Sequence, residues 1–194
     1  MYYHASKLGN LAVLKPFVSN HKKKYIYFSD KRENVLIYCS NPIEKYCKEN
    51  KIDFGEKYTW FAPYGFDRNG TFCYEEYCPN LLYESYYGAC GYIYSTNSDL
   101  GMKPLKDIRN VYINENEVKP DKVEYIENVY DEIIKAEKDG KIKIFRYENI
   151  SEERKAKNNK MILDYYLNEC KSKSEKYYYE NHFECLEKYR KGIE

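Results

Sequence analysis

Residues 24–39 read KYIYFSDKRENVLIYC, and this stretch decides the fold prediction. Its first part, Lys24–Phe28, has tyrosines alternating with the apolar Ile26 and Phe28, which is typical of a strand with two different faces. Asp30 is placed to cap a following helix, and Glu33 three residues later completes a capping-box-like pair. The stretch therefore predicts a strand followed by a helix that carries Tyr38.

The preceding residues predict a second strand and helix. Met1–His4 has the composition of a short strand, and it ends in a histidine. Lys7–Lys15 has leucines at helical spacing, and Pro16 is expected to stop that helix. We expect the MYYH and YIYF strands to be adjacent and central, with Ile26 and Phe28 packed under the helices.

The remainder of the chain predicts short elements joined by turns. DRNG at residues 67–70 predicts a turn with Gly70 in the left-handed conformation, and therefore a hairpin. Helices are expected from Pro79 to Gly88 and over Glu127–Asp139. Extended segments are expected at Lys57–Phe66, Thr71–Tyr77, Cys90–Ser95, Asn110–Ile113, Glu117–Ile126 and Lys141–Phe145.

From Ser151 onward the apolar residues recur at helical spacing, in two stripes separated by KSKS. These stripes need a surface to cover, so we expect helices that pack rather than a free tail. The sequence thus predicts the α+β class, with an α+β domain over residues 1–150 and a helical C-terminal extension over residues 151–194 packed on it. The stripes are Leu163–Leu167–Cys170 and Tyr179–Phe183–Leu186.

Charge and apolar content exclude several classes of partner. Lys and Arg total 32, Asp and Glu total 31, and the net charge is +1. This balance argues against nucleic-acid binding driven by bulk charge. No apolar run approaches the length of about 20 residues that spans a bilayer, so no membrane partner is expected. Met1 is followed directly by YYHAS without a signal-peptide pattern, which predicts a cytoplasmic protein.

The cysteines and tyrosines carry no specific chemistry by themselves. The seven cysteines are scattered and form no pair of C-x-x-C motifs, so we expect free thiols and no metal site. The 25 tyrosines accompany abundant Lys, Asn, Ile and Glu, which fits an AT-rich genome. Most of them are therefore expected in ordinary packing rather than in a stacking surface.

The order of elements and the stretch YIYFSDKRENVLIYC resemble the ADP-ribosyltransferase fold. In poly-ADP-ribose polymerases the similar segment reads Gly-Ile-Tyr-Phe-Ala-Asp and ends, one helix later, in Ala-Asn-Tyr-Cys. YHAS at residues 3–6 resembles the His-Gly-Thr or His-Gly-Ser motif of those enzymes and of the RNA 2′-phosphotransferases. GYIYS and NVYINENEVKPDKVEYI match in topology only. The whole chain also resembles a family of uncharacterised clostridial proteins that begin with MYYH, which implies no activity.

The resemblance implies a split β-sheet that binds NAD. His4 would then hydrogen-bond the ribose on the nicotinamide side, and Ser6 would help to close the turn that follows. Tyr27 would be the central tyrosine of the family's His, Tyr, Glu triad. Tyr38 would stack on the nicotinamide ring, since a cationic ring is held well between tyrosine faces.

The third member of the triad is missing at its expected place. The family has a Glu at the start of a late strand, where it stabilises an oxocarbenium-like transition state. In this chain that strand is RNVYIN, and neither Asn110 nor Val111 is acidic. Asp107 just before the strand and Glu115 just after it are the candidate replacements. The expected function is therefore binding of NAD or a related nucleotide, with ADP-ribosyl transfer in doubt.

A different class of function is the alternative to nucleotide binding for these residues. A lone His near a terminus is more often structural than functional, and Tyr27 and Tyr38 are two of 25 tyrosines. The joint order of His4 and these tyrosines favours the nucleotide site, whereas the missing Glu favours an alternative. That alternative is a non-catalytic module that binds a protein partner, such as an immunity or phage-encoded accessory protein.

Overall fold

A computed structural model describes residues 1–18, 23–106 and 108–192. It contains helices and antiparallel sheets, so the predicted α+β class is confirmed. The chain divides into two compact units, which are called here the sheet unit and the helical unit. The sheet unit comprises Met1–Ser40, Gly65–Cys73 and Gly88–Lys143, and the helical unit comprises Asn41–Tyr64, Tyr74–Tyr87 and Ile144–Glu194.

The sheet unit is built on a seven-stranded sheet in which every pair of strands is antiparallel. The strand order is β7-β8-β3-β1-β6-β9, and β2 pairs with β3 in addition. The strands are β1 (Tyr2–Ser6), β2 (Phe17–Val18), β3 (Lys24–Ser29), β6 (Gly91–Thr96), β7 (Lys103–Pro104), β8 (Val111–Asn114) and β9 (Lys122–Ile126).

The MYYH and YIYF segments form adjacent central strands, as predicted. β1 lies between β3 and β6, with Tyr3 opposite Ser29 on one side and His4 opposite Tyr94 on the other. The segments that match the ADP-ribosyltransferases only in topology form β6, β8 and β9, and β6 and β8 flank β1 and β3. Four neighbouring strands thus come from the segments that carry the resemblance.

One face of the sheet is covered by loops rather than by helices. Ile26 and Phe28 are buried there with Leu14, Tyr94 and Val118. The expectation that Ile26 and Phe28 pack under helices is therefore wrong. Leu14 belongs to an isolated bridge with Val118, whose backbone N–H and C=O groups bond to those of Leu14.

The predicted helix over Lys7–Lys15 is not formed. Asn10 has a φ of 58°, in the left-handed region that a right-handed helix excludes. The Tyr94 hydroxyl donates to the carbonyl oxygen of Leu8 at 2.7 Å and accepts from the N–H of Leu11 at 3.3 Å. The Tyr94 hydroxyl bonds to backbone groups that a helix would have used, so Leu11 and Leu14 reach the core from a loop, whereas Leu8 stays exposed.

The other face of the sheet carries the 3₁₀-helical segment Arg32–Cys39 and helix α3 (Val129–Lys138). The expected helix after YIYF is therefore present, in the tighter 3₁₀ form. The predicted cap by Asp30 is wrong, because Lys31 is the N-cap residue and no side chain bonds to the segment's first N–H groups.

A second sheet of three strands has the order β10-β5-β4. The DRNG turn joins β4 and β5, which confirms the predicted hairpin. Asp67 Oδ1 accepts the N–H groups of Asn69 and Thr71, both at 2.9 Å, and Gly70 has a φ of 76°. The strands are β4 (Tyr64–Phe66), β5 (Phe72–Glu75) and β10 (Ile142–Phe145), shorter than the sequence predicted for the first two.

The helical unit joins the C-terminal helices to two helices from earlier in the chain. The described helices are α1 (Pro42–Glu49), α2 (Leu81–Tyr86), α4 (Glu152–Asn168), α5 (Lys173–His182) and α6 (Glu184–Arg190), with a 3₁₀ turn at Tyr147–Asn149. This grouping differs from the predicted division at residue 150. Its buried core consists of Ile43, Cys47, Cys78, Leu81, Ile162, Tyr178, Tyr179, Phe183 and Leu186.

The close approach of Gly91 to the 3₁₀ segment generates a first prediction. A Cβ atom at residue 91 would lie 2.5 Å from both the Cβ and the carbonyl oxygen of Cys39. We expect Gly91→Ala to lower the free energy of unfolding by about 1–3 kcal/mol, because the backbone must move to admit the methyl group. Urea denaturation measures the change.

The matched control for this substitution is Gly65→Ala. A Cβ at residue 65 would meet no heavy atom within 4 Å, and no positive φ is found there. We expect it to change stability by no more than about 0.5 kcal/mol. Equal changes in the free energy of unfolding at both positions would show that the close contact between Gly91 and Cys39 does not contribute to stability.

Candidate functional site

His4 is held by the backbone of β3. Its Nδ1 lies 2.9 Å from the carbonyl oxygen of Tyr27, and its ring centroid lies 5.8 Å from that of Phe28. Since a carbonyl oxygen only accepts, Nδ1 carries the proton of the neutral ring. Burial lowers the pKa of His4, and the hydrogen bond to Tyr27 opposes this only in part. The histidine is therefore neutral near pH 7.

The side chains of His4 and Tyr27 lie on opposite faces of the sheet. Because Tyr3 is opposite Ser29, the antiparallel register places His4 opposite Phe28 and Ala5 opposite Tyr27. Residues directly opposite each other share a face, and neighbours along a strand do not. The contact between His4 and Tyr27 thus uses only the backbone of Tyr27, and the two side chains do not line one cleft.

Tyr38 lies on the side of the sheet away from His4. It belongs to the 3₁₀ segment, which packs beside Gly91 and binds Glu124 through Arg32. Glu124 is opposite Ile93 in the sheet, and Ile93 is opposite Ala5, so this is the face that His4 does not use. The structure therefore does not bring His4, Tyr27 and Tyr38 together around one point.

Ser6 closes the turn that follows β1. Its Oγ accepts the N–H of Leu8 at 3.0 Å, which is a local side-chain turn. Sequence reasoning expected Ser6 to help close this turn. The observed bond explains the residue without any ligand.

Glu115, the candidate carboxylate that the structure describes, does not lie at the start of β8. Glu115 follows the far end of the strand and forms an exposed ion pair with Lys103, with Oε2 and Nζ 3.0 Å apart. Asp107 lies outside the described residues. An exposed pair of this kind contributes little energy and leaves the carboxylate in water.

Asn110 occupies the start of β8 in a structural role. It has a φ of 62°, its carbonyl oxygen accepts the hydroxyl of Ser29 at 2.7 Å, and its Nδ2 donates to the carbonyl oxygen of Gly70 at 3.1 Å. Asparagine tolerates the left-handed conformation better than most residues. The residue thus ties the DRNG turn to β8 at the place where the resemblance expects a Glu.

Beside this turn the sheet unit has a cleft with a volume of about 380 Å³. Sequence reasoning missed it, because its two arginines come from separate parts of the chain. Arg68 belongs to the DRNG motif, which by itself predicts only a turn, and Arg109 directly precedes Asn110. The lining residues are Phe66, Asp67, Arg68, Gly70, Ile108 and Arg109.

A second cleft of about 500 Å³ lies at the start of the 3₁₀ segment. Arg32 donates to both carboxylate oxygens of Glu124, at 2.9 and 2.7 Å, and to Glu132 at 2.8 Å. These bonds raise the pKa of Arg32 above its usual value and join the segment to β9 and α3. The cation and both anions are paired with each other, so this cluster has a structural explanation.

Strand β9 ends the sheet order and exposes four of its five residues. Val123 and Tyr125 share one face and are 50% and 56% exposed. Tyr125 lies beside Tyr92, with ring centroids 5.2 Å apart. The nearby thiol of Cys90 raises the pKa of the Tyr125 hydroxyl. Within the described parts of the chain no strand pairs with its outer side, so β9 presents both an open backbone edge and an apolar stripe.

The described residues offer no metal centre. Among them, no group of three or more His, Cys, Asp or Glu side chains is placed to hold an ion. All seven cysteines are free thiols, and burial raises the pKa of Cys39 to about 12, which makes it a poor nucleophile. No described helix has both the length and the apolar content to cross a membrane.

The comparisons with known proteins found no relative. No protein-family model, no curated protein and no solved structure matches this chain. The candidate sites are therefore assessed from their geometry alone.

The lowered pKa of His4 predicts how stability depends on pH. In the unfolded chain His4 has its ordinary pKa of 6.5, so the unfolded state binds more protons as the pH falls through that value. We expect the free energy of unfolding to fall between about pH 7 and about pH 5, with at most about 1.4 kcal/mol per pH unit from one proton. Urea denaturation at several pH values measures this fall.

His4→Asn isolates the contribution of His4 to that fall. The amide nitrogen keeps a donor for the Tyr27 carbonyl but does not titrate. His182, whose pKa is also lowered by burial, contributes equally in both proteins. We expect a shallower pH dependence in His4→Asn, and parallel curves for the two proteins would contradict the assignment.

Proposed function

We propose that this chain is a non-catalytic module that binds an extended segment of a partner protein along β9. The observation that carries the proposal is the open edge of this strand. Among the described residues β9 pairs only with β6, so one row of its backbone N–H and C=O groups is left without a strand. Such an edge adds a further strand readily, and proteins that do not use it usually protect it.

The side chains of β9 indicate the chemistry of the partner segment. Val123 and Tyr125 would pack against β-branched or aromatic residues at alternate positions, since cross-strand pairs of these types stabilise sheets. Lys122 lies on the other face and favours an acidic residue opposite it. Glu124 on that same face is already held by Arg32, so it needs no new partner.

The proposal that the chain lacks catalysis is supported by the placement of the chemical groups. His4 is neutral, and its Nδ1 is already bonded to the carbonyl oxygen of Tyr27. The side chain of Tyr27 lies on the opposite face of the sheet. Glu115 is an exposed residue beyond the far end of β8. Transition-state stabilisation needs groups fixed around one reacting atom, and these groups are not.

The resemblance to the ADP-ribosyltransferases still informs the proposal. The similar segments supply the adjacent strands β8, β3, β1 and β6, which supports a related sheet frame. A fold does not carry its usual activity when the site is incomplete. We therefore propose an ADP-ribosyltransferase-like frame used for protein binding, and NAD binding stays a prediction that the positions of His4, Tyr27 and Tyr38 do not favour.

A peptide selection tests the β9 site. We expect a displayed library of short random peptides to yield binders with apolar residues at alternate positions. NMR hydrogen exchange should then show slower exchange at the β9 amides that do not bond to β6, because a bound strand protects them. Binders that instead protect amides elsewhere, or no binders at all, would contradict the proposal.

Tyr125→Lys is the matching variant, because it removes an apolar contact and adds a charge that disfavours an edge partner. We expect it to weaken binding of the selected peptides by at least about tenfold. Leu100→Lys makes the same kind of change at a residue that is 83% exposed and outside β9, and it should have little effect. Circular dichroism confirms that both variants are folded.

The absence of a converged nucleotide site gives a separate prediction. A ligand that binds only the folded state stabilises it by about 2.7 kcal/mol at 100 times its dissociation constant. We expect NAD, nicotinamide and ADP-ribose to produce no shift in thermal unfolding, and we expect wild type and Glu115→Gln to be equally without NAD turnover. A ligand-induced rise in the unfolding temperature that is lost in Tyr38→Ala would instead support the nucleotide site.

A further inference from the structure

We propose that the cleft beside the DRNG turn binds a small phosphomonoester that carries an apolar group. The cleft belongs to the sheet unit and is a site separate from β9, so the inference goes beyond the proposed function. Two exposed arginines, Arg68 and Arg109, line it together with Phe66 and Ile108. Its volume of about 380 Å³ lies within the range of small-molecule sites.

The two guanidinium groups are available to a ligand. Within the part of the chain that the structure describes, neither Arg68 nor Arg109 is paired with a carboxylate. Arg32, Arg154 and Arg190, in contrast, each bind at least one Glu. Unpaired arginines are thus a specific property of this cleft rather than a general property of the surface.

Asp67 is the one acidic residue among the lining residues that the structure describes, and both of its oxygens are engaged elsewhere. Oδ1 accepts the N–H groups of Asn69 and Thr71, and Oδ2 accepts from Lys143 Nζ at 2.7 Å. The bond to Lys143 is the main reason that the pKa of Asp67 falls to about 2. Asp67 and Lys143 therefore neutralise each other, and Arg68 and Arg109 leave the described part of the lining positively charged.

The turn fixes the stem of Arg109. A Cβ at residue 70 would lie 3.1 Å from the Cβ of Arg109 and 3.3 Å from its Cδ, so only the bare glycine backbone allows this approach. The Asn110 amide binds the Gly70 carbonyl and holds the two segments together. The stem is thus packed in place before any ligand arrives, which reduces the entropy lost on binding.

The chemistry of the lining selects the class of ligand. A guanidinium presents a planar fork of donors that matches phosphate and binds it through two parallel hydrogen bonds. Phe66, whose ring packs edge-on against Phe72 with centroids 5.8 Å apart, and Ile108 form the apolar part of the wall. A phosphomonoester with an aryl or alkyl group satisfies both parts, whereas inorganic phosphate satisfies only the first.

NMR titration of the full chain with phenyl phosphate and with inorganic phosphate tests the inference. We expect saturable shifts at the amides of residues 66–70 and 108–109, and tighter binding of phenyl phosphate than of inorganic phosphate. Equal affinities would overturn the apolar part of the proposal. Shifts that do not saturate, or that occur elsewhere, would overturn the site.

Substitutions distinguish specific binding by the two arginines from nonspecific attraction of phosphate to a positively charged surface. Arg68→Gln and Arg109→Gln should each weaken phenyl phosphate binding by at least about tenfold, as expected for loss of a bidentate pair. Arg109→Lys keeps the charge but loses the fork, so it should weaken binding as well. Lys24→Gln removes one exposed charge from β3 and is the control, which should leave the affinity unchanged. Equal weakening by Lys24→Gln and by the arginine variants would overturn the proposal.

Discussion

The antiparallel pairing of β1 between β3 and β6 is the constraint on which the sheet unit depends. Because side chains alternate along a strand, one register decides the face of every residue in the three strands. Tyr3 opposite Ser29 places His4 with Phe28 above the loop-covered core, and it places Tyr27 on the other face. A shift of β3 by one residue would bring His4 and Tyr27 to the same side, but it would also remove Ile26 and Phe28 from the loop-covered core. Core packing therefore determines the strand register, and this register keeps the side chains of His4 and Tyr27 apart.

Much of the fold follows from local sequence patterns. Alternation in YIYF and in CGYIYS identifies two strands, and DRNG identifies its turn, since these signals act over a few neighbouring residues. The prediction of a helix over Lys7–Lys15 was wrong because the same leucine spacing also suits a loop that is held by a distant side chain. Its anchor is the Tyr94 hydroxyl, which lies more than eighty positions away in the chain and is not visible in a local pattern.

The candidate sites were harder to predict than the fold, for the same physical reason. The resemblance identified His4, Tyr27 and Tyr38 as one candidate site. Residue types alone do not determine strand register, and the register decides which face of the sheet each side chain occupies. Arg68 and Arg109 carry no motif, and they meet only because the turn packs against the start of β8. The open edge of β9 is likewise a property of strand order, which no single segment encodes. Sites assembled from distant segments need the tertiary structure before they can be recognised.

The electrostatics at the start of β8 are relevant both to ADP-ribosyl transfer and to the proposed ligand site. ADP-ribosyl transfer passes through a cation-like sugar, which a carboxylate stabilises and a positive field destabilises. Here Asn110 stands where the resemblance expects the Glu, and it is committed to the Gly70 carbonyl. Among the described residues, the two guanidinium groups of the neighbouring cleft have no carboxylate partner, and the carboxylate of Asp67 in its lining is neutralised by Lys143. This charge pattern opposes a developing cation and favours a bound anion, so the same local structure argues against transfer and for phosphate recognition.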